Sequence, residues 1–218
     1  EMAGSGHDKK AINTHVSRVA CQSCHIPTYA KMATETHRDW RIHQDGTDAT
    51  KCTDESPCPG HPRTTKAANL VPQYEWWNRQ SDNMLLYDDA SRTYNEASGA
   101  YPTSTPLGSV LNGKLYPFKY KTALQPMAVA DNRLIALDTW IYLKGSGNVV
   151  EAVESGLVNM GYASSESYKW ITTETFQLIN HGVEPSERAL GCSACHDNTR
   201  RMDLQGELGY DLKDSQTT

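Results

Sequence analysis

Two copies of the pentapeptide Cys-x-x-Cys-His carry the most specific chemistry in this sequence. In c-type haem attachment, two thiols at this spacing form thioethers to the haem vinyl groups and the adjoining histidine binds the iron. A single Cys-x-x-Cys also occurs in thioredoxin-like and zinc sites, but here a histidine follows directly in both copies. The pattern therefore predicts two covalently bound haems c. The predicted haem-binding residues are Cys21, Cys24 and His25 in the first motif and Cys192, Cys195 and His196 in the second.

The main alternative is one zinc site built from the four cysteines of the motifs. Zinc sites of this kind usually place their two Cys-x-x-Cys pairs about 15–20 residues apart. The two pairs here lie near opposite ends of the chain. We therefore favour haem, whose redox potential the protein sets through the sixth ligand of the iron and through burial.

The sixth ligand of each iron decides between an open site and an electron carrier. His15 lies six residues before the first motif and His181 eleven before the second, so we predict both as distal ligands, opposite His25 and His196. The alternatives are a solvated side chain for His15 and a contact with helix C-terminal carbonyls for His181. His7 is a further candidate, for an iron in this chain or in another polypeptide. The sequence leaves open which distal histidine serves which haem, and none of the six methionines is comparably placed.

Two cysteines remain outside the motifs. Cys52 and Cys58 lie in a short segment rich in turn-forming residues. An even pair of this kind in an oxidising compartment predicts a small-loop disulfide. The alternative is a metal site that adds His61, which would require a further ligand that the neighbouring sequence does not offer.

Composition narrows the class of protein further. The chain has 218 residues, a formal net charge of −5 and a hydrophobic content of 38%. The negative charge argues against nucleic acid as a partner, and the absence of a run of about 18 apolar residues argues against a transmembrane segment. The apolar content is low, so we expect the haems to supply part of the core. Because haem c is attached outside the cytoplasm, we expect a periplasmic or extracellular protein.

The chain divides by composition into three segments, which we expect to form one compact domain. Residues 1–45 hold the first haem motif, residues 46–130 form a loop-rich insertion with the predicted disulfide, and residues 131–218 form a helical segment with the second motif. The predicted fold class is mainly α with extensive irregular loops, organised around two haems.

Three helices are predicted in the last segment. Apolar spacing indicates helices over residues 131–143 and 148–160 and a third over about 164–180, with Ser164 or Ser165 as its N-cap and Gly182 beyond its end. The polar tail after residue 203 is expected at the surface.

Several longer stretches are more specific than the pentapeptides. They are residues 21–31 (CQSCHIPTYAK) preceded by His15, 74–78 (YEWWN), 116–119 (YPFK), 125–126 (QP) and 180–185 (NHGVEP), then Ala189 and Leu190 before the second motif. In this order they resemble the octahaem tetrathionate reductase family of multihaem cytochromes. The resemblance implies that His15 and His181 are axial ligands and that His25 and His196 are proximal ones.

The sequence also departs from that family. The family has eight haems and this chain has two motifs, so the chain resembles only the C-terminal portion. The catalytic haem of the family, with its unusual lysine ligand, belongs to the part that is absent here. The segment 52–58 reads as an insertion. A shared fold does not carry a reaction across, so the resemblance supports fold and ligation rather than a substrate.

Three functions remain open at this point. The favoured one is a dihaem cytochrome with two bis-histidine irons, which passes electrons between other cytochromes or redox proteins, including copies of itself in a homo-oligomer or filament. The second is the electron-transfer portion of a multihaem reductase of the tetrathionate, nitrite or hydroxylamine type, whose catalytic haem lies elsewhere. The third is a catalytic dihaem with one open iron, such as a peroxidase. The supply of histidines favours a carrier over an enzyme.

Overall fold

The computed structural model describes residues 6–196, 201–206 and 208–210. A mixed sheet of seven strands forms its centre. The strands are β1 Thr34–His43, β2 Pro62–Ala67, β3 Gln73–Trp77, β4 Gln80–Asn83, β5 Tyr101–Leu107, β6 Lys114–Ala128 and β7 Tyr168–Leu178. The α-helices are α1 Lys10–His15, α2 Cys21–His25, α3 Thr139–Lys144, α4 Val149–Asn159 and α5 Ser193–His196, and two 3₁₀ turns cover Ala90–Thr93 and Ser186–Arg188.

Strand β6, with 15 residues, organises the sheet. The strand order is β2-β1-β6-β7-β5-β4, and β3 also pairs with β6. The first part of β6 runs antiparallel to β3, and its remainder, from Phe118 to Ala128, runs antiparallel to β7. A short parallel pairing joins β6 to β1. The start of β6 is therefore a fixed edge against which the N-terminal segment can dock.

The prediction of a mainly α fold is wrong, because the described chain is dominated by this sheet and its helices are short. The clearest error is the helix predicted over residues 164–180, which is strand β7. Its centre, from Trp170 to Phe176, is rich in aromatic and β-branched residues, which lose side-chain freedom in a helix and pack well on a sheet. Gly182, predicted as a helix end, has a φ of +80° in the turn after the strand.

The structure has a helix within or close to each of the other two predicted ranges. The helix predicted over 148–160 is confirmed as α4, and the side chain of Asn148 caps it by accepting from Val150 N and Glu151 N. The helix predicted over 131–143 is reduced to α3, because Asp138 caps its first turn and the residues before it are extended. None of the described helices combines the length and apolar character that crossing a membrane requires.

Two of the four apolar clusters in the described residues contain most of the buried core. The larger one packs α3 and α4 against the sheet and includes Trp40, Tyr142 and Leu157. The smaller one joins Tyr74, Trp76 and Leu115 to three residues from beyond the second motif, Met202, Leu204 and Leu208. Part of the tail expected at the surface is thus buried, with Leu204 and Leu208 only 7% and 5% exposed.

Candidate haem-binding sites

The first Cys-x-x-Cys-His motif is helix α2, and the start of β6 holds it in place. Ala20 N–H donates to the Leu115 carbonyl at 3.0 Å, and Leu115 N–H donates to the Arg18 carbonyl at 2.8 Å. Ser23, between the two cysteines, is 2% exposed and its hydroxyl donates to the same Leu115 carbonyl at 2.8 Å. Ser23 therefore points into the protein, while Cys21 is exposed and Cys24 is partly buried.

The second motif, on α5, lies directly beside the first. The chain that leads into it, residues 184–190, docks on the carbonyl end of α2. Glu184 N–H donates to the His25 carbonyl at 2.7 Å, and Leu190 N–H donates to the Cys24 carbonyl at 2.9 Å. Two motifs from opposite ends of the chain are therefore brought together by backbone hydrogen bonds.

Tyr74 of β3 lies between the two motifs. Its side chain is 3% exposed and its hydroxyl is 3.5 Å from the Ser23 carbonyl oxygen. Burial raises the pKa of Tyr74; Arg201 opposes the rise, and the thiols of Cys195 and Cys24 add to it. Cys195 of the second motif also packs against the apolar cluster that contains Tyr74, so Tyr74 lies close to both motifs.

The proximal histidine of the first motif faces a second imidazole. The ring centres of His7 and His25 are 6.2 Å apart, with an interplanar angle of 34°. Nδ1 of His25 lies 2.9 Å from the Glu184 carbonyl oxygen. A carbonyl can only accept, so His25 donates Nδ1–H there and its Nε2 lone pair is left for a metal.

The second motif has a matching pair. The ring centres of His15 and His196 are 6.0 Å apart and the rings are nearly perpendicular, at 85°. Nδ1 of His15 donates to the Ala11 carbonyl oxygen, 2.8 Å away within α1. This bond fixes the tautomer of His15, so that its Nε2 is also available as a ligand.

These spacings fit a metal held between two imidazoles. With metal–nitrogen bonds of about 2.0–2.1 Å, and roughly 1.1 Å from each nitrogen to its ring centre, a linear pair has centres ~6.2–6.4 Å apart. The observed 6.2 Å lies within this range, and the observed 6.0 Å lies slightly below it. Nδ1 of His7 is also buried and has no hydrogen-bond partner among the described residues. The donor set therefore suits two six-coordinate haem irons.

The two predicted distal ligands, His15 and His181, have different surroundings in the structure. His15 lies beside His196, the histidine of the second motif; the sequence left open which haem His15 would serve. His181 is exposed and makes no ring contact within the part of the chain that the structure describes. His7, named only as a further candidate, lies opposite His25. The supporting roles of Ser23 and Tyr74 were missed, although Ser23 lies within the first motif and Tyr74 begins the stretch 74–78 quoted above.

Comparison with known proteins agrees with this chemistry. The family model described as "Cytochrome c bacterial" matches residues 36–199. The chain belongs to this bacterial cytochrome c family, and so to the proteins that bind haem c. The octahaem cytochrome c from Shewanella oneidensis is a structural neighbour with a TM-score of 0.75 and 27% sequence identity. No match is found among curated proteins.

The structural neighbour is a longer molecule. The alignment covers 99% of this chain and 51% of the octahaem cytochrome, so the chain spans about half of its relative. The predicted relationship to octahaem cytochromes is confirmed at the level of a multihaem c-type cytochrome.

Proposed function

We propose that the chain holds two haems c, each with two axial histidines, and passes electrons between redox partners. His7 and His25 would bind the iron of the first haem, and His15 and His196 the iron of the second. The observation that carries this assignment is the pair of imidazole–imidazole spacings, 6.2 Å and 6.0 Å, each of which includes one motif histidine. In this proposal His7, rather than His181, is the second distal ligand.

Two closed irons favour a carrier over an enzyme. A haem supplies one-electron chemistry when bound, and an axial histidine on each side leaves no coordination site for a substrate. The chain contributes fixed ligand orientation, because His25 donates to the Glu184 carbonyl and His15 to the Ala11 carbonyl. Ligands already held in place need to rearrange little when the iron changes its charge, which suits rapid electron transfer.

The arrangement also supports transfer between the two haems. The backbone bonds from Glu184 and Leu190 to the carbonyls of α2 place the second motif against the first. Electrons that arrive at one haem would therefore reach the other within the same chain. Other cytochromes or redox proteins, including copies of this chain, are the partners that such a relay requires.

A second candidate is the electron-transfer portion of a longer multihaem reductase. The observation in its favour is the match to 51% of an octahaem cytochrome. His181 supports this alternative, because its exposed imidazole pairs with neither motif histidine and so remains available to an iron outside the described residues. In both candidates the two haems of this chain carry electrons and make no bond to a substrate.

The expected compartment is periplasmic or extracellular, where haem c is attached. The Cα atoms of Cys52 and Cys58 are 5.6 Å apart, within the range that disulfides occupy. This separation supports the disulfide predicted from the sequence, which an oxidising compartment would maintain.

Carbon monoxide binding to the dithionite-reduced, haem-loaded protein tests the ligand assignment. The wild type should bind none, because both irons are closed. His7→Ala and His15→Ala should each bind one carbon monoxide per two haems, since each variant opens one iron.

The matched control is His181→Ala, with His61→Ala as a second exposed histidine. Both should behave as the wild type. If His181→Ala opens an iron and His7→Ala does not, the assignment of the first haem is wrong. If the wild type itself binds carbon monoxide, the carrier proposal fails.

A further inference from the structure

A buried histidine lies beside the two cysteines outside the haem motifs. An irregularity in the pairing of β1 with β2, between Asp39 and His43, turns His43 inward. His43 is 3% exposed and stacks on Tyr142, with ring centres 4.6 Å apart. Its Nε2 is 2.9 Å from the Gly147 carbonyl oxygen and therefore carries the proton. Its Nδ1 is buried, and no group in the described part of the chain forms a hydrogen bond with it.

Cys52 and Cys58 complete a cluster with this histidine. Their two sulfur atoms and one ring nitrogen of His43 all lie within 4.8 Å of one another. Cys52 is 1% exposed, so the cluster lies at the base of its loop rather than at the tip. Burying an imidazole nitrogen that receives no hydrogen bond costs free energy. A metal ion bound between this nitrogen and the two sulfur atoms would remove that cost.

The loop of the cysteines is held rigidly by residues 146–148. Cys58 N–H donates to the Ser146 carbonyl at 2.9 Å, and the side-chain amide of Asn148 donates to the Cys52 carbonyl at 2.7 Å. Gly147, with a φ of +80°, allows this close approach, because a Cβ there would collide with the Cys58 carbonyl. Three successive residues thus fix both cysteines and, through the Gly147 carbonyl, the ring of His43.

We propose that the reduced thiols of Cys52 and Cys58 form a zinc site with His43. Two thiolates and one neutral imidazole are a known zinc ligand set, in which water or another small ligand takes the fourth position. Because Nε2 of His43 already donates to Gly147, Nδ1 is the nitrogen left for the metal. His61, the histidine considered from the sequence, is exposed and lies outside the cluster.

A surface cavity lies close to the cluster. It is lined by Pro59, Gly60, His61, Leu143 and Lys144. Gly60 links this cavity to the histidine, since a Cβ built on it would be 3.5 Å from Nδ1 of His43. Because Nδ1 itself is buried, entry of a metal ion requires a local movement of the loop at Gly60.

The zinc site and the disulfide are two states of the same pair. A dithiol reductant supplies two electrons and two protons, breaks the S–S bond and itself becomes a disulfide. Zn²⁺ then displaces both thiol protons to solvent as two S–Zn bonds form. Zinc binding is therefore expected only after reduction and should weaken as the pH falls.

The test uses the haem-loaded protein, in which thioethers occupy the four motif cysteines. The protein is reduced with a dithiol, desalted without oxygen, mixed with Zn²⁺ and desalted again, and zinc per chain is measured by elemental mass spectrometry. We expect one zinc per chain after reduction and none in the oxidised protein. X-ray absorption at the zinc edge should show two sulfur ligands and one imidazole nitrogen.

Variants identify the ligands. Cys52→Ser and His43→Gln should each weaken zinc binding by ~100-fold or more, since even residues behind the ligands commonly cost 10–100-fold. The matched control, His61→Gln, should bind as the wild type. The proposal is overturned if the reduced wild type binds no zinc, or if His61→Gln loses zinc while His43→Gln keeps it. If His43→Gln fails to fold, the X-ray absorption spectrum of the zinc-loaded wild type still tests the proposal. A spectrum that shows no imidazole ligand to zinc would overturn it. None of these outcomes depends on which histidines bind the haem irons.

Discussion

Asn148 performs two tasks at once, and its replacement should be unusually costly for a single polar residue. Its Oδ1 accepts from Val150 N at 2.7 Å and Glu151 N at 3.3 Å, which caps α4. Its Nδ2 donates to the Cys52 carbonyl at 2.7 Å, which ties down the cysteine loop. The side chain is buried, at 9% exposed, so water cannot replace either bond without a rearrangement. We predict that Asn148→Ala destabilises the protein through both losses.

The magnitude follows from the two bonds. Loss of an N-cap costs about 1 kcal/mol, within a range of roughly 0.5–2. A buried carbonyl that loses its donor costs about 1–3 kcal/mol. The free energy of unfolding should therefore fall by about 2–4 kcal/mol in Asn148→Ala. Asn148→Ser keeps a good cap but is too short to reach the Cys52 carbonyl, so it should lose only the second part, about 1–3 kcal/mol and less than Asn148→Ala.

Denaturant unfolding of the haem-loaded protein, followed by far-ultraviolet circular dichroism, measures these differences. Asn159→Ala, at an exposed position near the other end of α4, is the matched control and should stay within about 0.5 kcal/mol of the wild type. An Asn148→Ala variant as stable as this control would refute the double role. An Asn148→Ser variant as unstable as Asn148→Ala would show that the cap contributes nothing.

Three further predictions concern the same face of the sheet. Burial acts to raise the pKa of Asp138, but hydrogen bonds from Ser155 and from helix N–H groups outweigh it and lower the pKa. The Asp138 carboxylate therefore contributes fully to stability above the ordinary pKa of about 3.9, and this contribution is lost as the pH falls further. The stability difference between the wild type and Asp138→Asn should accordingly shrink when unfolding is measured at progressively lower pH. Leu157→Ala, at a fully buried position of α4, should lower the free energy of unfolding by about 2–5 kcal/mol, and a loss below 1 kcal/mol would contradict the packing. Gly147→Ala should strain a backbone with positive φ and bring the new Cβ into collision with the Cys58 carbonyl. The melting temperature should therefore fall, and the reduced protein should no longer take up zinc. If neither property changes, the close approach of Gly147 to Cys58 is wrong.

The chemistry of the haem motifs was readable from sequence because it depends on local spacing. Cys21–His25 and Cys192–His196 each need only five consecutive residues to be recognised, and the family match, which covers residues 36–199, supports haem c binding in general. Helix α4 was also predictable, since its apolar spacing and its Asn148 cap lie within one short segment. Local signals of this kind do not depend on the rest of the fold.

Features that depend on distant contacts were missed. Strand β7 carries apparent helix-end signals on both sides, but its hydrogen bonds to β6 decide its structure. The contact between His7 and His25 depends on the fold rather than on local spacing, so the sequence offered His7 only as a further candidate. His43 was passed over in favour of His61 for the same reason, because an irregular strand pairing turns His43 toward Cys52 and Cys58.

An experimental structure of the haem-loaded protein tests the central proposal most directly, because it identifies the two axial ligands of each iron. We predict two haems per chain, one iron bound by His7 and His25 and the other by His15 and His196. An iron bound by His181, by a methionine, or by a single histidine with its other face open would contradict the proposal.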